Sequence, residues 1–165
     1  MATVQRITPN LWFDDQAEEA AEFYTSVFPD GEITRVSRYG EEGFEVHHRP
    51  AGSAMTVDFT IAGMRFVALN GGPVFTFNEA VSFIIDCADQ EEVDHYWDRL
   101  GEGGDPAAQQ CGWLKDRYGV SWQVVPSILG ELVSGPDAAA SQRVMAAFLP
   151  MKRLVIADLE KAYRG

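Results

Sequence analysis

Positive charge is scarce in this chain. Thirteen Lys and Arg stand against 25 Asp and Glu in 165 residues, for a net charge of -12 and a pI near 4.5. A polyanion would be repelled, which excludes nucleic acid as a partner and disfavours anionic membrane surfaces. Cysteine is nearly missing. Cys87 and Cys111 make no disulfide framework, so a reducing cytoplasm is the expected setting. No run of about 18 apolar residues is available to span a bilayer. The start, MATVQRITPN, has no basic region leading into an apolar core, so no signal peptide is expected. Catalytic signatures are missing too. There is no HExxH, no spaced Cys/His cluster and no GxSxG elbow. Gly101, Gly103 and Gly104 are followed by no Lys-Ser/Thr pair and so form no phosphate loop. Nothing resembles a methyltransferase's glycine-rich cofactor loop, and no cofactor is expected.

Core-building material is plentiful, with 46% hydrophobic and 12% aromatic residues. That suits one domain, 1–165, or two small similar modules. Ile7 to Phe13 reads as a strand. Asp15, with Glu18 three residues on, looks like a capping box. Ala17, Ala20, Ala21, Tyr24, Val27 and Phe28 have helical spacing, so 17–28 is an amphipathic helix that Pro29-Asp30-Gly31 ends. Ile33 to Tyr39 alternates as a strand, and 41–53 is a polar loop. Met55 to Ile61 and Arg65 to Asn70 flank Ala62-Gly63-Met64 as a hairpin.

After a connector at 74–78 the opening pattern returns. Ala80 to Asp86 is a strand, Asp89 and Glu92 repeat the capping box, and Val93, Tyr96, Trp97 and Leu100 repeat the apolar stripe. The loop 101–110 has room for a short edge strand near 107–109. Cys111 to Pro126, CGWLKDRYGVSWQVVP, reads as two strands around a turn at Tyr118-Gly119. A helical turn at 128–133 and helices at 138–149 and 153–163, broken at Pro150, complete the chain. Asp15 and Asp89 are 74 apart, whereas Ala20, Phe23, Tyr24 and Val27 map onto Val93, Tyr96, Trp97 and Leu100 at 73. One slipped residue between cap and stripe reconciles them. The fold class is therefore α+β, with two βαβββ modules at about 5–73 and 79–126 and a helical tail at 127–165.

On those residues the chain resembles the vicinal oxygen chelate superfamily of glyoxalase I, bleomycin-resistance proteins and extradiol dioxygenases. Within it, the chain resembles the PhnB-like branch, which also carries a 3-demethylubiquinone-9 3-methyltransferase label. The matching stretches are ITPNLWFDDQAEEAAEFYTSVFPDGEI (7–33), GMRFVALNGGP (63–73), SFIIDCADQEEVDHYWDRL (82–100), CGWLKDRYGVSWQVVP (111–126) and the tail QRVMAAFLPMKRLVIADLEKAY (142–163). The resemblance implies curled mixed sheets around a cavity. It also implies a homodimer, because such relatives complete cavities across two chains, and the stripe Val144, Phe148, Leu154, Leu159 asks for a partner surface. In metal-using relatives, ligands come from the start of each module's first strand and from its last strand. Those positions fall here on Thr8, Ser82, Ala68 and Gln123. Hydroxyls, a methyl and an amide do not displace water from a divalent ion, so no metal is expected.

Other chemistry is sparse. His47 and His48, adjacent, would point opposite ways on a strand and chelate poorly. His95 sits on the charged side of its helix. Cys87 reads as buried. Cys111 is either structural or, with Lys115 and Arg117 near in sequence, a reactive thiol. Period two places Thr8, Asn10 and Trp12 on one strand face, Phe66, Ala68 and Asn70 on another, then Ser82, Ile84 and Asp86, then Ser121, Gln123 and Val125. The leading expectation is a metal-free small-molecule-binding protein. Its ligand would meet Thr8, Asn10, Trp12, Phe66, Asn70, Ser82, Cys111, Trp113 and Gln123. Two alternatives stand: a lyase, isomerase or dioxygenase-like enzyme using a metal through Asp86 or Asp58 with a His, and a partner protein with a filled cavity.

Overall fold

The computed structural model describes residues 4–165. The chain forms two compact units that meet in sequence between Thr76 and Phe77, inside the anticipated connector. In the first unit, β1 (Asn10–Phe13), α1 (Ala17–Val27), β2 (Glu32–Arg38), α2 (Phe44–His47), β3 (Ala54–Ile61) and β4 (Met64–Asn70) build a mixed sheet of order β1-β4-β3-β2. In the second, β5 (Ser82–Cys87), α3 (Gln90–Gly101), β6 (Trp113–Lys115) and β7 (Ser121–Pro126) build a sheet of order β5-β7-β6. Then come α4 (Leu129–Ser134), α5 (Ala138–Phe148) and α6 (Ile156–Arg164). Both sheets are curled and mixed, as the α+β reading requires. In each, the first strand lies parallel to the last one, β1 on β4 and β5 on β7.

The internal repeat is visible in three dimensions, and the slipped residue moves. α1 starts after Gln16 and α3 after Asp89, which are 73 apart, the same spacing as the buried pairs Ala20/Val93, Tyr24/Trp97 and Val27/Leu100. The strand ends Phe13 and Cys87 are 74 apart. The extra residue therefore lies in the strand-to-helix turn, not between cap and stripe. The second capping box is real. The Asp89 carboxylate accepts from the Glu92 amide at 2.9 Å, and the Glu92 carboxylate reaches back to the Ala88 amide at 2.7 Å.

The first capping box is not formed. The cap residue is Gln16, whose side chain caps nothing. The orphan amide of Ala17 instead donates to the Asn70 side-chain oxygen on β4 at 2.8 Å, while the Asn70 amide donates to the Ala54 carbonyl. A cap arriving from 53 residues away leaves no local sequence pattern. Asn70 is buried, so truncation strands one N–H and one carbonyl without water. Asn70→Ala should cost about 2–3 kcal/mol, read as a lowered urea midpoint at unchanged slope. A change within about 0.5 kcal/mol would refute the capping role.

Further expectations change. The strand beginning at Ile7 begins at Asn10, and Thr8 precedes it. The loop 41–53 contains α2, and the edge strand near 107–109 is a short 3-10 turn, Pro106–Ala108, so the second sheet has three strands. The stripe Val144, Phe148, Leu154, Leu159 needs no second chain. Val144, Leu154 and Leu159 are buried within the tail against Leu129 and Leu132, with Phe148 packed alongside. α6 starts at Ile156 because residues just before it run extended. There the Gln90 side chain donates to the Leu154 carbonyl and accepts from the Ile156 amide.

Candidate functional site

Each sheet has one face under a helix and one open face, and strand register sorts the candidate residues between them. In the first unit Leu11 pairs with Ala68, Phe13 with Asn70 and Phe59 with Phe66, all buried on the side of α1. Tyr24 of α1 stacks on Phe59, and Phe59 on Phe66. Phe66 is therefore a core residue and Asn70 a structural cap, and neither shares a face with Asn10 or Trp12. Asn10 pairs with Val67 and Trp12 with Leu69 on the open face. Parity is the cause: β1 and β4 alternate together, so odd positions of β4 match even positions of β1. Trp12 is half-buried. Its indole N–H donates to the Gly72 carbonyl at 2.9 Å, and Phe75 meets its ring edge-on at 5.0 Å.

The second unit brings its candidates together. Ser82, Ile84 and Asp86 of β5 pair with Ser121, Gln123 and Val125 of β7, and Gln123 and Ser121 pair in turn with Trp113 and Lys115 of β6. All lie on the open face. The Gln123 amide donates to the Ser82 hydroxyl at 2.9 Å. Between Ser82 and Lys115 lies Ser121, whose buried hydroxyl has no hydrogen-bond partner. The Lys115 ammonium pairs with Glu79, which holds the Glu79 carboxyl below its ordinary range, chiefly through that hydrogen bond. Beside this array a cleft of about 410 Å³ is lined by Glu79, Ala108, Gln110, Cys111 and Trp113. Trp113, facing Gln123 across the ladder, joins cleft and array.

Cys111 sits at the cleft edge in a left-handed conformation, φ 51°. Its thiol donates to the Leu149 carbonyl at 2.9 Å, and the amides of Cys111 and Gly112 donate to Met151 and Lys152. The tail thus straps the start of the signature stretch. Cys87 is buried, and burial, with help from Glu92 and Asp86, pushes its thiol up to about 12. It is chemically inert at neutral pH.

The sequence reading missed Asp116. This buried carboxylate accepts from the amides of Tyr118 and Val120 and from the Trp122 indole N–H at 2.9–3.0 Å, and it sets the turn that delivers Gln123. A D-x-x-G spacing, Asp116 to Gly119, is the local sign that such a turn leaves.

The metal positions of the fold can now be assigned by register. Asn10 pairs with Val67 as Ile84 pairs with Gln123, so the counterpart of Gln123 is Val67 and not Ala68, which is buried under α1. Thr8, Val67, Ser82 and Gln123 offer a divalent ion no imidazole, thiolate or carboxylate, and they do not fit one. The alternative metal set also fails to converge. Asp58 is engaged by Arg35 and Arg65, and His48 and His95 are exposed. His47 ends α2 and His48 caps it, so the pair is not on a strand. His47 Nδ1 accepts from the Arg49 amide, and its ring lies against Tyr39. Among the described residues no three His, Cys, Asp or Glu side chains are grouped to hold a metal.

The family model for 3-demethylubiquinone-9 3-methyltransferase matches residues 5–125. The solved structure of a PhnB protein from Bacillus cereus is 35% identical, with a TM-score of 0.64, over 74% of this chain and 99% of that one. A protein of Pseudomonas aeruginosa is 20% identical, with a TM-score of 0.55, over 74% and 98%. The fosfomycin resistance protein FosX from Mesorhizobium loti is 14% identical, with a TM-score of 0.51, over 79% and 97%. The last two are likenesses of fold alone. No protein of curated function matches.

Proposed function

This chain belongs to the 3-demethylubiquinone-9 3-methyltransferase family, a branch of the vicinal oxygen chelate superfamily, and from that premise we propose that it is a metal-independent small-molecule-binding protein. The ligand rests on the open face of the second sheet. The observation that carries this reading is the unpaired, buried hydroxyl of Ser121 beside the Ser82–Gln123 pair. Buried hydroxyls nearly always have partners in native proteins, so a row of neutral donors and acceptors with one unspent supports a polar ligand. Trp113 supplies an aromatic wall, and Gln110 and Cys111 supply the rim of the adjoining cleft. The family's methyltransferase name is not carried over. Membership and fold do not assign a reaction, and no residue here is placed as a methyl-transfer catalyst.

Native mass spectrometry of protein purified without affinity tag or chelator, followed by a metabolite-library thermal-shift screen, tests the reading. For any compound found, Gln123→Ala and Trp113→Ala should each weaken binding about tenfold, the value of one hydrogen bond or part of a stacked ring. A stoichiometric metal lost on Gln123→Ala would overturn the reading in favour of a metalloenzyme. So would a screen with no saturable binder, in favour of a filled-core partner protein.

We also read the chain as a homodimer in a reducing, cytoplasmic setting. Exposed Val81 and Ile84 beside the proposed site support the first. Two free thiols support the second. No helix among the described residues is long and apolar enough to cross a membrane.

A further inference from the structure

Two arginines converge on one buried carboxylate on the open face of the first sheet. Asp58 of β3 is buried there, its side chain 7% exposed, and one of its oxygens, Oδ2, accepts from Arg35 on β2 and from Arg65 on β4, both at 2.9 Å. The two guanidinium side chains are themselves 65% and 46% exposed. One cation suffices to neutralise a buried carboxylate, yet two arginines converge on Asp58; Glu32, opposite Thr60 in the row that holds Arg65, is a second acidic group on the same face. Each arginine uses a single Nη2 group on Asp58. An arginine kept only to satisfy a carboxylate typically pairs through two parallel N–H groups. Here the remaining N–H donors of both forks stay available to a third group.

The backbone is arranged for this meeting. Ile33 pairs with Phe59, which faces α1, and regular alternation would send Arg35 to that same buried side. A bulge between Ile33 and Arg35 inserts Thr34, and Arg35 pairs with Asp58 on the open face instead. The Thr34 hydroxyl donates to the Asp58 carbonyl and holds the bulge. Bulges that re-aim one side chain recur beside functional sites. Both guanidinium groups lie within hydrogen-bond distance of one oxygen atom, which sets two partly exposed cationic forks side by side on this face.

We propose that Arg35 and Arg65, organised by Asp58, form an oxyanion-binding site for a small molecule bearing a phosphate or carboxylate group. Asp58 is a positioning residue. Its carboxylate fixes both forks and moderates their repulsion, while the forks' free edges recognise the anion by paired, charge-assisted hydrogen bonds. This site belongs to the first unit and does not depend on the ligand of the second.

Inorganic phosphate and acetate serve as probes, titrated separately at low salt by calorimetry or by following the arginine side-chain NMR signals. Saturable binding is expected, tighter for phosphate if the site reads a tetrahedral dianion and tighter for acetate if it reads a carboxylate. Either order supports the site. Arg35→Gln and Arg65→Gln should each weaken binding at least tenfold. Arg164→Gln, on the far end of α6, should leave it unchanged. Arg35→Gln leaves Arg65 to neutralise Asp58, so that variant keeps its fold, which a circular dichroism melt would show. Asp58→Asn removes the charge that fixes both forks and should weaken binding severalfold although it adds a positive charge to the site; tighter binding in that variant would overturn the positioning role. No saturable binding of either anion overturns the proposal. So does binding that survives both Arg→Gln changes, or that falls equally with Arg164→Gln, since those results describe a structural triad or diffuse charge.

Discussion

Asp116→Ala should be the most damaging single substitution in the second unit, lowering stability by about 3–5 kcal/mol. Three donors depend on this carboxylate. Oδ1 receives the amides of Tyr118 and Val120, and Oδ2 receives the indole N–H of Trp122. Val120 and Trp122 are both buried, so water cannot replace the carboxylate. The turn also depends on Gly119, φ 89°, whose amide donates to the Asp116 carbonyl. Losing the side chain removes charge-assisted bonds worth about 1.5–3 kcal/mol each, reduced by local relaxation. Asp116→Asn should cost less, because its oxygen still serves the two amides while its NH2 group opposes the indole. Urea unfolding followed by far-UV dichroism and by tryptophan emission measures both variants. If Ala and Asn cost the same, the indole and turn bonds are not what the carboxylate contributes. Trp122 precedes Gln123, so the same variant should also loosen the proposed ligand site.

How much of this was legible in the chain itself differs between fold and site. The two helices, their shared stripe and the CGWLKDRYGVSWQVVP strands follow from local periodicity, and all are present. The Asp89 cap was readable because donor and acceptor lie three residues apart. The Asn70 cap was not, because its donor and acceptor are brought together only by the sheet. Face assignment shows the same division. Period two groups Phe66 with Asn70 correctly, but only the pairing of Leu11 with Ala68 says which group meets α1. In the second unit the grouping of Ser82 with Gln123 survived, because both strands were read in the right phase. The Arg35–Asp58–Arg65 site was invisible for a further reason. A single-residue bulge reverses the parity of β2, and no residue type near Thr34 announces it.

The site also explains why fold membership carries so little chemistry here. A curled sheet presents alternate residues of its last strand to the open face regardless of their identity. Gln123 and its register counterpart Val67 occupy positions that the fold offers, and an amide and an isopropyl group do something other than hold a divalent ion.

Leu154→Ala should couple the tail to the site edge, and the two cysteines report it. Leu154 is fully buried and touches both the tail core and the start of the signature stretch. At Gly112, φ 81°, a β-carbon would lie 3.1 Å from a Leu154 methyl group, so backbone and side chain already meet there. Truncation should cost about 2–5 kcal/mol, much of it by releasing the strap at Leu149 to Lys152 that holds Cys111. With a disulfide reagent at pH 8, Cys111 should label at least tenfold faster in the variant than in the wild type. Cys87 is the internal control. Burial foremost, then Glu92 and Asp86, raises its thiol from 9.0 to about 12, so it stays protonated and shielded until the unit unfolds. The same shift has a stability sign. Above pH 9 the unfolded chain gives up this proton while the folded chain keeps it, so Cys87 makes stability fall as pH rises from about 9 towards 12. Leu154→Val, which removes less volume, should accelerate Cys111 labelling to a smaller degree. Equal Cys111 rates in the wild type and both variants would show that the tail merely packs against the sheet, without holding the site edge closed.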